Sequence, residues 1–134
     1  MYVAAGGGGG AGSAGSDAQA NVGSDTNCNI AGVGGNGTTN SWRTGSNETR
    51  AAGGGGGAEN AYPDHNGCDT DMDTCRTNGC GGSSSMGGDG SGHQPSTPTA
   101  NTGSGGGGVV QTYVTSGYTQ TGADGVVVIR YATS

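Results

Sequence analysis

The octapeptide Ala4-Ala5-Gly6-Gly7-Gly8-Gly9-Gly10-Ala11 recurs letter for letter as Ala51-Ala52-Gly53-Gly54-Gly55-Gly56-Gly57-Ala58, and a third run, Gly105-Gly106-Gly107-Gly108, follows. Glycine has no side chain to bury and loses more backbone entropy on ordering than any other residue. Such runs are therefore either flexible tethers or segments that pack backbone against backbone. Which of the two holds decides what the remaining residues can do.

The inventory for an ordinary hydrophobic core is missing. There is no Leu and no Phe; two Ile and nine Val make the strongly apolar set 11 of 134 residues, beside 34 glycines and three prolines. That composition falls in the low-complexity range, although a net charge of −6 is modest for a chain kept unfolded by charge. The length suits one domain. Helix is disfavoured as well: Lys and Leu are absent, Glu occurs twice, and most Ala sits beside Gly, which costs about 1 kcal/mol per helical position relative to Ala. The expected fold class is mostly β and irregular, with essentially no α-helix.

Four arginines and no lysine stand against ten carboxylates, and Arg43, Arg50, Arg76 and Arg130 are scattered along the sequence. Phosphate neutralisation needs a cluster of cations, so nucleic acid is an unsuitable partner. No apolar stretch is long enough to span a bilayer, which argues against membrane insertion. Residues 1–5 lack the basic and apolar regions of a secretory signal, so synthesis in the cytoplasm without such export is expected.

Along the chain, Tyr2 and Val3 suit a short strand at 1–5. Gly32-Val33-Gly34-Gly35-Asn36-Gly37 matches G-x-G-x-x-G, but in a chain one-quarter glycine the match arises by chance, and it opens no helix. Trp42, the only Trp, stands beside Arg43 among Asn and Ser. Such a cluster suits carbohydrate or protein surfaces; the plainer reading is a Trp that covers its own loop. Residues 81–104 read as loop, with Pro95 and Pro98 favouring a polyproline II path and His93 a surface residue. Residues 109–115 and 125–131 are β-branched and aromatic runs and read as the clearest strands.

Residues 59–80 hold most of the chemistry. Asp69, Asp71 and Asp73 alternate as carboxylates do in a calcium loop, but neither the Gly nor the closing Glu of an EF-hand follows, and a solvated acidic loop is the plainer reading. His65 with Cys68, Cys75 and Cys80 offers zinc-type ligands without paired C-x-x-C spacing. A small disulfide loop, Cys68 to Cys75 or Cys75 to Cys80, competes with both, as do free thiols; Cys28 makes the cysteine number even. No cofactor other than calcium is suggested.

A strand of the Tyr-Val-Ala-Ala type running into polyglycine, further runs introduced by Ala-Ala, then Thr99-Ala100-Asn101-Thr102-Gly103-Ser104-Gly105-Gly106-Gly107-Gly108 and a closing Gly125-Val126-Val127-Val128-Ile129-Arg130-Tyr131 resemble the glycine-rich domain of bacteriophage tail-fibre and other virion structural proteins of the marine-phage type. Residues 38–98 depart from that pattern. The resemblance implies a single glycine-rich domain with a small β framework at 1–5 and 109–131, where first and last strands lie together. Between them, at 6–108, it implies polyproline II-type segments and long loops.

It further implies a virion protein, on the particle surface or tail, without enzymatic activity. Trp42, Arg43 and Tyr62 are then the candidates for contact with a host glycan, a host protein or other virion proteins, and self-association is expected of so small a bundle. A capsid decoration protein and a calcium- or saccharide-binding extracellular module are the alternatives. No catalytic residue is suggested: the chain has no Lys, no G-x-S-x-G elbow and only two His.

Overall fold

The computed structural model describes residues 4–19, 30–58, 81–82, 86–90, 95–109 and 121–132. Among the described residues helix is assigned at Gly82 alone, whose carbonyl accepts from the Met86 N–H at 3.1 Å. The bulk of the described chain is neither helix nor ladder. It consists of extended runs whose N–H and C=O groups bond to other runs at intervals of three residues.

The run at 5–11 shows the rule. Its N–H groups at Ala5, Gly8 and Ala11 donate to the carbonyls of Gly57, Gly54 and Ala51, so the two identical octapeptides lie antiparallel against one another. The N–H groups of Gly7 and Gly10 turn elsewhere, to Ser16 and Ser13. The carbonyls of Ala5 and Gly8 accept from Gly32 and Gly35 on a third run. A step of three in every partner list is the signature of a threefold polyproline II helix, which has three residues per turn and directs its backbone groups outward. The glycine runs are therefore packed scaffold and not tethers.

The 51–58 run is the axis of this bundle. Gly53 and Gly56 donate to Gly35 and Gly32; Gly55 donates to Gly88; the carbonyls of Ala52, Gly53 and Gly55 accept from Gly105, Gly82 and Gly108. Residues 52–58 are all buried. The neighbouring 31–36 run buries two residues in three: 31, 32, 34 and 35 are buried, whereas Val33 and Asn36 face solvent. The chance G-x-G-x-x-G match is one of these helices, with its two larger side chains on the outer third.

Side chains contribute little to the interior of the described chain, where the buried apolar residues are Ala31, Ala52 and Ala58. Backbone approach replaces them. A Cβ on Gly56 would lie 2.0 Å from the Ala5 carbonyl oxygen, and one on Gly54 1.9 Å from that of Gly106. Each such glycine points a Cα–H at a carbonyl oxygen, a contact of about 0.5–1 kcal/mol that supplements hydrogen bonds worth a net ~1 kcal/mol each. Ser104 is the largest side chain fully enclosed among the described residues; its Oγ accepts from the Ala52 N–H at 3.1 Å and meets Thr102 Oγ1 at 2.8 Å.

Segments read from sequence as loop also join the bundle. Ser96 and Thr99 donate to the carbonyls of Asp89 and Met86, again three apart and antiparallel. Pro95 and Pro98 occupy a different third of that helix, buried and half-buried, where the missing N–H costs nothing.

Among the described residues the one regular sheet is a hairpin, β1 (Thr38–Asn40) with β2 (Glu48–Arg50), in register Thr38↔Arg50, Thr39↔Thr49 and Asn40↔Glu48. It joins the 30–37 and 51–58 runs. Ala4, at the expected first strand, makes an isolated bridge to Ala58. The run 125–131, expected as a strand, carries no ladder: Val127, Ile129 and Tyr131 are 80% exposed or more. High β-propensity expresses a fit to a pleated, half-buried surface, and among the described residues no neighbouring strand supplies one; the expected strand at 109–115 lies outside them from residue 110 onward.

Candidate functional site

Bundle register fixes which loops meet. Ala11 donates to Ala51, Ala51 to Thr102, and Gly103 to Asp124, all at 2.8–2.9 Å, so the 11–13 turn, the hairpin, the 99–103 turn and residues 124–126 gather at one end. The hairpin projects from that end. Its tip is closed by local bonds: Asn40 Oδ1 accepts from the Trp42 N–H at 3.2 Å, and the Gly45 N–H donates to Ser41 at 2.9 Å with Gly45 at φ 83. The Thr39 and Thr49 hydroxyls meet at 2.9 Å across the strands.

Trp42 sits on this tip and is 67% exposed. Most of its surface is therefore open to solvent on a braced turn.

Below the tip, two of the four scattered arginines come together. Arg43 Nε donates to both Glu48 carboxylate oxygens at 3.0–3.1 Å and Nη2 makes a closer contact; Arg50 Nη2 donates to Glu48 Oε2 at 3.0 Å and Nη1 to the Asn101 carbonyl. Hydrogen bonding from Arg43, and less strongly from Arg50, lowers the Glu48 pKa to about 2 against a partial loss of hydration. The same pairing raises that of Arg43, first by its hydrogen bond and then by charge. One carboxylate between two guanidiniums leaves this trio of side chains net cationic in a chain of net charge −6.

These side chains wall an open hollow of about 490 Å³, completed by Met86, Asn101, Thr102 and Val126. Glu48 and Arg50 were legible as neighbours, since alternate residues of a strand share a face. Met86, Asn101 and Val126 were not, because bundle register alone brings them there. Tyr62, Asp69, Asp71, Asp73, Cys68, Cys75 and Cys80, with His65, Cys28 and His93, lie outside the described residues. Among the described residues no three His, Cys, Asp or Glu side chains cluster as metal ligands.

Comparison with protein-family models, with curated proteins and with solved structures finds no match.

Proposed function

We propose that this chain is a non-enzymatic structural component of a virion, of the tail-fibre or adhesin type, whose polyglycine bundle holds contact loops toward a host surface or a neighbouring virion protein. The observation that carries this reading is the exposed Trp42 on a hairpin anchored in the bundle. A large aromatic held open to solvent on a rigid base provides contact area at low entropy cost, and Trp and Arg are the residues most enriched among binding hot spots. Arg43, fixed beside it by Glu48, adds a cationic and hydrogen-bonding rim. The resemblance of the glycine runs and of the closing Val-Val-Val-Ile-Arg-Tyr segment to phage glycine-rich domains supports the same assignment.

Immunogold electron microscopy of particles that carry the chain tests location. Label at the tail or fibre tips is the expected result. Label over the head would assign capsid decoration instead, and no label would overturn the virion reading. Adsorption of the purified chain to host envelopes should fall at least about tenfold for Trp42→Ala, the scale of losing one central hot spot. Unchanged adsorption would remove Trp42 from the contact.

A further inference from the structure

The hollow at the hairpin end carries more positive charge than its own lining neutralises. Arg43, Arg50 and Glu48 are the ionised side chains that line it; Asp124, gathered at the same end, does not. Glu48 is already satisfied, since Oε1 accepts from Arg43 and Oε2 from both Arg43 and Arg50. The two guanidiniums are not. Arg43 uses Nε and Nη2 on Glu48, whereas Arg50 uses Nη2 on Glu48 and Nη1 on the Asn101 carbonyl. A guanidinium carries N–H donors on every nitrogen, so Arg43 Nη1 and Arg50 Nε keep donors that make no hydrogen bond to the protein. The Arg50 side chain is only 20% exposed, and a charge withdrawn from water favours a partner.

The backbone around the hollow is held in shape against its own preference. Ala51 and Asn101, at φ 56 and 57, are the non-glycine residues with positive φ among the described residues. Ala51 directly follows Arg50 and its N–H is tied to the Thr102 carbonyl at 2.8 Å, while Asn101 lines the hollow. The left-handed region is tolerated by Asn and disfavoured by Ala, and such strain gathers where a site must keep its geometry. The remaining lining is mixed: the Asn101 side-chain amide makes no hydrogen bond to the protein, and Met86 and Val126 add apolar surface. A volume of about 490 Å³ falls within the roughly 300–1,000 Å³ of small-ligand sites.

The group that Arg43 and Arg50 already hold is a carboxylate, and a second planar carboxylate matches the guanidinium fork that remains. Hydroxyls would suit the Asn101 amide, and the C–H face of a ring would suit Met86 and Val126. We infer that the hollow binds an acidic sugar, a uronic acid or another carboxylated monosaccharide unit, whose carboxylate pairs with Arg43 and Arg50 while Asn101 bonds its hydroxyls. This names the ligand of the contact end proposed above and rests on that reading.

Calorimetric titration of the full chain with glucuronate, glucose, acetate and glucose 6-phosphate tests the assignment. Glucuronate should bind saturably and at least about tenfold more tightly than the other three, and should shift the amide resonances of 48–50 and 100–102. Arg43→Gln should weaken it at least about tenfold, the loss of one charge-assisted hydrogen bond. Asn101→Asp, which keeps a residue that tolerates the left-handed region but adds a negative charge, should weaken it as much without touching the hairpin. Arg130→Gln, outside the lining, should leave it unchanged. Equal affinity for acetate, tighter binding of glucose 6-phosphate, preference for the C-terminal carboxylate of a short peptide, or indifference to both hollow variants would each overturn the inference. Silence toward glucuronate beside intact Trp42-dependent adsorption overturns it and leaves the proposed function standing; glucuronate binding without adsorption does the reverse.

Discussion

Residues 4–11 and 51–58 have one sequence and two environments. The second octapeptide is buried from Ala52 to Ala58 and bonded to five other segments, while the first is exposed at Ala5, Gly6, Gly8, Gly9 and Ala11. Gly53 and Gly56 are thus indispensable, whereas a Cβ fits at their counterparts Gly6 and Gly9. What distinguishes them is the number of neighbouring backbones, which for a side-chain-free helix is set by the surrounding chain. In this protein the central polyglycine run takes the place that a hydrophobic core takes elsewhere.

The largest expected effect separates the corresponding positions Gly56 and Gly9. Gly56→Ala places a Cβ 2.0 Å from the Ala5 oxygen, an overpacking that backbone cannot relieve by rotamer change, and should cost at least ~3 kcal/mol or prevent folding. Gly9→Ala should be neutral or stabilise by up to ~1 kcal/mol through the unfolded chain. Thermal unfolding of the two variants at dilute concentration reads both, and equal losses would break the contrast.

Ser104→Ala comes next. It strips the Ala52 N–H of its buried acceptor and leaves the Thr102 hydroxyl with the Thr99 carbonyl alone, an expected cost of ~1–3 kcal/mol measurable by denaturant unfolding. A smaller gain is expected at Ala51, which enters the central run at φ 56 although Ala4, its counterpart, has no such strain. Ala51→Gly should stabilise by about 1 kcal/mol, the left-handed penalty of a non-glycine residue.

The smallest effect belongs to the hairpin end. Glu48 is held down at about 2, below the ordinary value of about 4.3 for an unfolded Glu. Its contribution to stability is therefore complete above the unfolded value and lost as pH falls from there toward 2. The hairpin should loosen over that acid window, seen as faster amide exchange at 48–50. Glu48→Gln should remove the pH dependence.

Much of the scaffold was legible in the sequence. Absent Leu and Lys excluded helix, and Pro95 and Pro98 marked a polyproline II path. The pattern Ala31-Gly32-Val33-Gly34-Gly35-Asn36 even carries the phase of its helix, two small residues inside and a third outside, although its resemblance to a nucleotide motif obscured this. The pure glycine runs carry no phase, because every residue is alike and only neighbours distinguish them. For the same reason the sequence did not show that Arg43 and Arg50 meet over Glu48, or that Met86, Asn101 and Val126 share their hollow. The reading of 125–131 as a ladder rested on propensity, which cannot name a partner strand.

Native-state amide hydrogen exchange, resolved by residue in dilute monomer, tests most directly whether polyglycine is the core. Amides of Gly53, Gly55 and Gly56 should exchange only through global unfolding, those of Ala5, Gly8 and Ala11 should be protected, and those of Gly6 and Gly9 should exchange freely. Rapid, uniform exchange across both octapeptides would mean that they are tethers, and would contradict the account.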